Sequence, residues 1–178
     1  NFPISGRVVG NYPGFMKGMA EVKKAEALAN MTARVIPKKV AKAITAASDM
    51  IMYQQVARDQ FPVDLFQGGA GTSVNMNANE VIANLALETL GLPKGSYDVI
   101  NPNDHVNKSQ STNDAYPTGL RLAIYHMVHD LSIELGELSD ALDRKGDEFA
   151  RVIKMGRTQL QDAVPMSLGQ EFHGFAAT

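Results

Sequence analysis

The sequence predicts a mainly α-helical protein, with an N-terminal helical domain over residues 1–110 and the first helices of a longer helical bundle over residues 111–178. Three observations predict it. Apolar residues recur every three or four positions in four separate segments, as amphipathic helices require. Prolines and glycines punctuate those segments as starts and stops. One stretch, from Leu120 to Leu142, keeps its apolar register with no proline until Pro165.

The first helix is expected from Pro13 to Arg34, with Phe15, Met19, Val22, Ala25 and Leu28 as its apolar face and Lys17, Glu21, Lys24 and Glu26 among its polar fillers. Ile36-Pro37 interrupts it. Pro37 suits the first turn of a second helix, where a missing N–H costs nothing, and Val40, Ala43, Ile44, Ala47 and Ile51 carry that helix onward. Phe61-Pro62-Val63-Asp64-Leu65-Phe66 reads as extended or looped. A third helix is expected from Asn75 to Leu90 with Val81, Ile82, Leu85 and Ala86 apolar, stopped by Gly91 and Pro93. The fourth starts near Tyr116-Pro117 and carries Leu120, Ile124, Met127, Leu131, Leu135, Leu138 and Leu142. If it is one helix running to about Val152, it is roughly 55 Å long, more than a small domain can cover. Its partners must then come from further sequence or other subunits. A break near Gly136 or Gly146 into two ordinary helices is the alternative. Another helix is expected from Pro165.

Composition narrows the function. Of the 178 residues, 44% are apolar and 20% charged, and 17 basic side chains nearly balance 19 acidic ones. A net charge of -2 gives no electrostatic reason to expect nucleic acid or an anionic membrane as partner, which leaves a small molecule. Cysteine is absent, excluding disulfides and thiolate metal sites, and no long apolar run or signal peptide is visible, so a cytoplasmic location is expected. The chain opens on Asn1-Phe2-Pro3 and stops inside a helix-like pattern at Phe175-Ala176-Ala177-Thr178, which reads as an incomplete polypeptide.

Three polar segments could carry chemistry. Gln67-Gly68-Gly69-Ala70-Gly71-Thr72-Ser73 runs into the third helix. It lacks the lysine of a P-loop and the leading strand of a dinucleotide fingerprint, so it reads either as a carboxylate cradle or as a helix cap. Between Asn101 and Asp114, twelve of fourteen residues are polar, a density that suits a pocket for a small zwitterion better than a solvent loop. Ser111, Thr112 and Asn113 lie at the start of the fourth helix, either receiving negative charge or capping. The third segment, Lys154 to Pro165, reads as a polar turn between two helices. There Arg157 either binds a carboxylate or ties down the turn, and Thr158 and Gln159 are neutral orienting groups. His126 and His129 have a metal-ligand spacing, but with no third ligand they read as a solvated helix face.

Taken together, Gly68 to Ser73, Asn101 to Asp114 with Ala115-Tyr116-Pro117-Thr118-Gly119, and Gly156 to Pro165 resemble the signature regions of the aspartase/fumarase superfamily. The resemblance covers nearly the whole chain, Met19-Ala20-Glu21-Val22-Lys23-Lys24 included. Ser111-Thr112-Asn113-Asp114 and Thr158-Gln159-Leu160 are similar to the aspartase branch. Gln159 stands where much of the superfamily has histidine, so a general-acid role does not carry over to it.

The resemblance implies a helical homotetramer with shared active sites, and reversible deamination of L-aspartate to fumarate and ammonia through an aci-carboxylate carbanion. It implies no organic cofactor; some aspartases respond to divalent cations, and no metal ligand is assigned. By motif position, Thr72, Ser111 and Thr112 bind the β-carboxylate, while Asn113, Thr158 and Gln159 hold the amino group and α-carboxylate. Asn103, Asp104, His105 and Asn107 resemble a second anion or activator loop. No catalytic residue is assigned within the chain: the family's general base is a serine on a glycine- and serine-rich loop, expected beyond Thr178. The isolated polypeptide is therefore expected to be inactive. Class II fumarate hydratase is the alternative activity, and a non-catalytic helical assembly protein is a rival that the intact polar segments disfavour.

Overall fold

Three helices build the core of the first unit, α1 (Pro13–Thr32), α2 (Lys38–Gln54) and α3 (Thr72–Thr89). The structure is a computed structural model describing residues 4–54 and 56–178, and it divides into units of residues 1–126 and 127–178. In α2 the expected face is the buried one: Val40, Ala43, Ile44, Ala47 and Ile51 all point inward. Ala41 N–H bonds the Pro37 carbonyl at 3.0 Å, so Pro37 stands just ahead of the helix rather than inside it.

α1 buries Phe15, Met19 and Val22 as expected, but its interior face also takes in Met16, Lys23, Glu26 and Asn30, while Ala25 and Leu28 face solvent. Glu26, read as a polar filler, is therefore buried. A periodicity argument counts Lys23, Glu26 and Asn30 as outward-facing, whereas the Lys23–Glu26 pair and the bond from Asn30 Nδ2 to the Lys108 carbonyl let them face inward.

α3 begins at Thr72, three residues before the expected start, because Gly71 at φ +74° makes the entry turn. It ends at Thr89, with Gly91 and Pro93 following as expected. The Phe61–Phe66 stretch is extended. Val9 N–H bonds Val63 O at 2.9 Å and Gly10 N–H bonds Phe61 O at 3.0 Å. Asp64 locks this pairing by accepting the backbone N–H groups of Ile4, Ser5 and Phe66. Burial opposes its ionised form, but those bonds and the Ser5 hydroxyl outweigh it and hold the carboxyl at about 2.

The long pattern forms a single helix, α4 (Thr112–Glu148), unbroken at Gly136 or Gly146. It starts four residues before Tyr116 and ends before Val152. Within the first unit, α1 and α4 touch backbone to backbone: a Cβ on Gly18 would stand 2.3 Å from the Gly119 carbonyl oxygen. Phe15 and Tyr116 meet edge-on beside that crossing, 5.9 Å between centroids. Gly18→Ala should thus destabilise the protein by roughly 1–3 kcal/mol, although alanine is the better helix former. Urea unfolding of the variant checks this, and an unchanged or raised midpoint would contradict so close a crossing. Further along α4, the apolar side chains Ile124, Leu131, Leu135 and Leu138 are each more than half exposed.

The second unit corrects two expectations. Residues read as a polar turn between helices instead form an antiparallel hairpin, β1 (Ile153–Thr158) and β2 (Gln161–Ser167). Gln159 and Leu160 make its two-residue turn with φ of +49° and +64°, the left-handed conformations that match strand twist. Neither is the asparagine or glycine that advertises such a turn. Pro165 lies in β2, tolerated because both strands of a two-stranded ribbon are edges. The helix expected from Pro165 starts at Leu168 instead, as α5 (Leu168–Ala176). Ser167 Oγ accepts the Gln170 N–H and Gln170 Oε1 accepts the Ser167 N–H, which caps it. Among the described residues, no helix is long and apolar enough to cross a membrane.

Candidate active site

The first turns of α3 and α4 come together in the first unit. Gly71 lies against the Tyr116 ring, where a Cβ would stand 2.5 Å from Cδ2, and its positive φ also excludes side chains. One turn into α3, Asn75 is fully buried, and its Nδ2 donates to Thr112 Oγ1 at 3.0 Å. Thr72 and Thr112 thus stand on joined helix N-termini, whose dipoles favour negative charge between them.

The capping alternative resolves differently at each end. Gly71 has no side chain with which to cap α3, and Thr72 is exposed. At α4, Ser111 Oγ accepts the Asn113 N–H at 3.1 Å, so Ser111 caps the helix. Asn113 is exposed.

Behind Thr112 runs a buried polar network. Lys23 Nζ donates to Glu26 Oε2 at 2.9 Å and to Asn107 Oδ1 at 2.8 Å, and Asn75 Nδ2 also donates to Asn107 Oδ1, at 3.1 Å. Asn107 Nδ2 donates to the Gln110 carbonyl, and Asn30 Nδ2 to the Lys108 carbonyl. Desolvation lowers the pKa of Lys23 and raises that of Glu26, each effect opposed by the other's charge. Sequence reasoning missed Lys23, Glu26, Asn30 and Asn75 as site-forming residues. The available signal was a polar column spaced three and four apart inside an apolar stripe.

The Asn101–Asn107 loop is a single π turn at Pro102–Val106. Asn101 Oδ1 accepts the backbone N–H groups of Asn103 and Asp104, whose side chains stay in solvent. Asn107 turns inward to the network just described. The backbone N–H of Asn101 donates to His105 Nδ1 at 2.8 Å, which requires a neutral ring carrying its proton on Nε2. Desolvation lowers the His105 pKa, Lys108 adds to this, and Asp104 opposes it. Because the folded pKa is lowered, this stabilisation is present above 6.5 and is lost as pH falls through the folded value. An NMR titration of the imidazole should therefore give a midpoint below 6.5. A midpoint above it would be incompatible with the Asn101 contact.

Thr158 and Gln159 belong to the second unit, at the exposed tip of the hairpin, so the first-unit cluster forms without them. Arg157 pairs across that hairpin with Asp162 at 3.0 Å. His126, expected on a solvated face, is half-buried and its Nε2 meets the Glu21 carboxylate at 2.9 Å. Among the described residues no three His, Cys, Asp or Glu side chains are grouped as metal ligands. A separate cleft of about 470 Å3, beside Glu80, Asn84 and Tyr97, contains none of the predicted site residues.

The chain is similar to known proteins over nearly its whole length. A family model described as lyase matches residues 1–178. Aspartate ammonia-lyase of Escherichia coli (strain K12) is 56% identical over 176 residues, covering 99% of this chain and 37% of that protein. A crystal structure of fumarate lyase:delta crystallin from Brucella melitensis bound to cobalt superposes with a TM-score of 0.82 at 55% identity, over 99% of this chain and 38% of that one. Recombinant class II fumarase from Schistosoma mansoni gives 0.74 at 37% identity, over 93% and 34%. The chain thus spans somewhat more than a third of the length of the curated relatives it matches.

Proposed function

Since this chain belongs to the lyase family that includes aspartases and class II fumarases, we propose that the full-length protein catalyses the reversible deamination of L-aspartate to fumarate and ammonia. The observation that carries this reading is the joining of Thr72, Ser111 and Thr112 on two helix N-termini through Asn75, in a chain 56% identical to an aspartate ammonia-lyase. Identity to the class II fumarase is lower, at 37%, which favours ammonia over water as the second product.

The chemistry fits these residue types. Removing the proton next to the β-carboxylate turns that group into an aci-carboxylate, so charge accumulates on its two oxygens. Hydroxyl donors and helix-end N–H groups already aimed at those oxygens stabilise the charge without reorganising. Asn113, Thr158 and Gln159 hold the amino group and α-carboxylate, fixing the leaving ammonia opposite the abstracted proton. The serine loop implied by the family resemblance supplies the base. The family resemblance implies no organic cofactor for this step.

The exposed apolar stripe of α4 supports a homotetramer in which helices of neighbouring subunits cover it and Thr158 and Gln159 complete a site with other subunits' residues. Asn103, Asp104 and His105 remain candidates for a second anion or activator loop. A cysteine-free chain with no membrane-crossing helix among its described residues fits the cytoplasm. Incubating the full-length protein with fumarate, with and without ammonium, tests the assignment. Aspartate formed only with ammonium is the expected product; malate in its place would make the protein a fumarate hydratase.

A further inference from the structure

We propose that Asn75, anchored by Lys23 through Asn107, is a positioning residue that forces the hydroxyl hydrogen of Thr112 out toward the substrate. This inference rests on the aspartate-deaminating reading above.

The direction of each hydrogen bond follows from what each group can do. Lys23 is completely buried and gives hydrogens to Glu26 and Asn107, so the Asn107 atom facing it must be the carbonyl oxygen. Whichever partner holds the proton of the Lys23–Glu26 pair, the lysine nitrogen still has hydrogens to give. The other end of the Asn107 amide is fixed independently, because its Nδ2 donates to the Gln110 carbonyl. Asn75 must therefore present Nδ2, not Oδ1, to the Asn107 oxygen.

The second hydrogen on the same Nδ2 goes to Thr112 Oγ1 at 3.0 Å. A hydroxyl that accepts on that side must turn its own hydrogen elsewhere, and no described residue receives it. It is left facing the space between the two helix N-termini, where the resemblance puts a substrate carboxylate. The orientation carries a cost, since Asn75 Oδ1 is buried without a hydrogen-bond partner. Flipping the amide would not remove that cost, because it would set two carbonyl oxygens against each other at Asn107. The network thus keeps two unsatisfied acceptors, Glu26 Oε1 and Asn75 Oδ1, and delivers a polarised donor at Thr112.

The test is a double-mutant cycle in the full-length protein, read by steady-state kinetics with L-aspartate and by far-UV circular dichroism for folding. Asn75→Asp replaces the donor with an acceptor, so the Thr112 hydroxyl turns inward to bond it. The expected result is a loss of about 100-fold, mainly in kcat, as for removal of one preorganised donor. In a Thr112→Val background the same change should cost less than about threefold, because there is no hydroxyl left to aim.

Equal losses in both backgrounds, or none in either, would overturn the inference while leaving the activity assignment intact. If the aspartate variant does not fold, Asn75→Leu, similar in volume and unable to donate, takes its place. Its expected loss is about tenfold and should likewise vanish beside valine at 112, persistence in that background being the overturning result. A wild-type protein that releases no ammonia from aspartate defeats the functional reading itself, and the inference falls with it.

Discussion

Thr112→Val in the full-length protein should lower kcat/KM for L-aspartate by roughly 10²–10³-fold, the cost of losing one donor to a developing oxyanion. Valine keeps the shape of threonine and removes only the hydroxyl, so contacts made by the rest of the residue persist. Two effects then compete in the measurement. Asn75 loses an acceptor for one buried N–H, which costs stability of roughly 1–3 kcal/mol. That loss changes how much protein is folded, not how fast each folded molecule turns over. Rates normalised to folded protein separate the two, and the deficit should appear mainly in kcat, since the carboxylate is dianion-like only in the transition state. A variant with unchanged kcat but weaker KM would mean that Thr112 grips the ground state alone.

The largest stability effect is expected at Lys23. Lys23→Met leaves Glu26 buried with neither carboxylate oxygen paired, because Oε1 already lacks a partner. Breaking a buried pair in this way costs about 3–5 kcal/mol, whereas removing both charges costs far less. The double variant Lys23→Met with Glu26→Met should accordingly recover most of the loss in urea unfolding. The pH dependence has a definite sign. Burial raises the pKa of Glu26 and only Lys23 opposes that, so without the ammonium the folded state favours a protonated carboxyl still more. A group with a raised folded pKa imposes its penalty as pH climbs above the unfolded value of 4.5. The single variant should therefore be weaker at pH 7 than at pH 5. Single and double variants equally unstable at pH 7 would show that the methylene stem of Lys23, not its charge, carries the energy.

The helical class was legible because α2, α3 and α4 obey simple periodicity, and α2 buries the very residues the spacing indicates. α1 was legible as a helix and in Phe15, Met19 and Val22 of its buried face, but not in the part of that face taken by Lys23, Glu26 and Asn30. Whether that part goes inside depends on Asn107, 84 positions away, meeting the Lys23 ammonium, and no local window contains that contact. The hairpin was illegible for a different reason. Its turn sits on Gln159 and Leu160, residues with no preference for left-handed backbone, and Pro165 in β2 argued against a strand. At the candidate site, the hydroxyl and amide clusters stood out by density alone. Asn75 did not, because an amide in the first turn of a helix reads as ordinary polar surface until the segment after Asn101 is laid over it.

The two partners of Lys23 differ in when they become available to a folding chain. Glu26 is three residues away and within reach as soon as α1 coils, on the sub-microsecond scale of helix growth. Asn107 arrives only after the intervening chain has closed a long loop, a slower and entropically costlier event. Full enclosure of the ammonium thus waits on a contact 84 positions away, although its charge partner lies within a single helical turn.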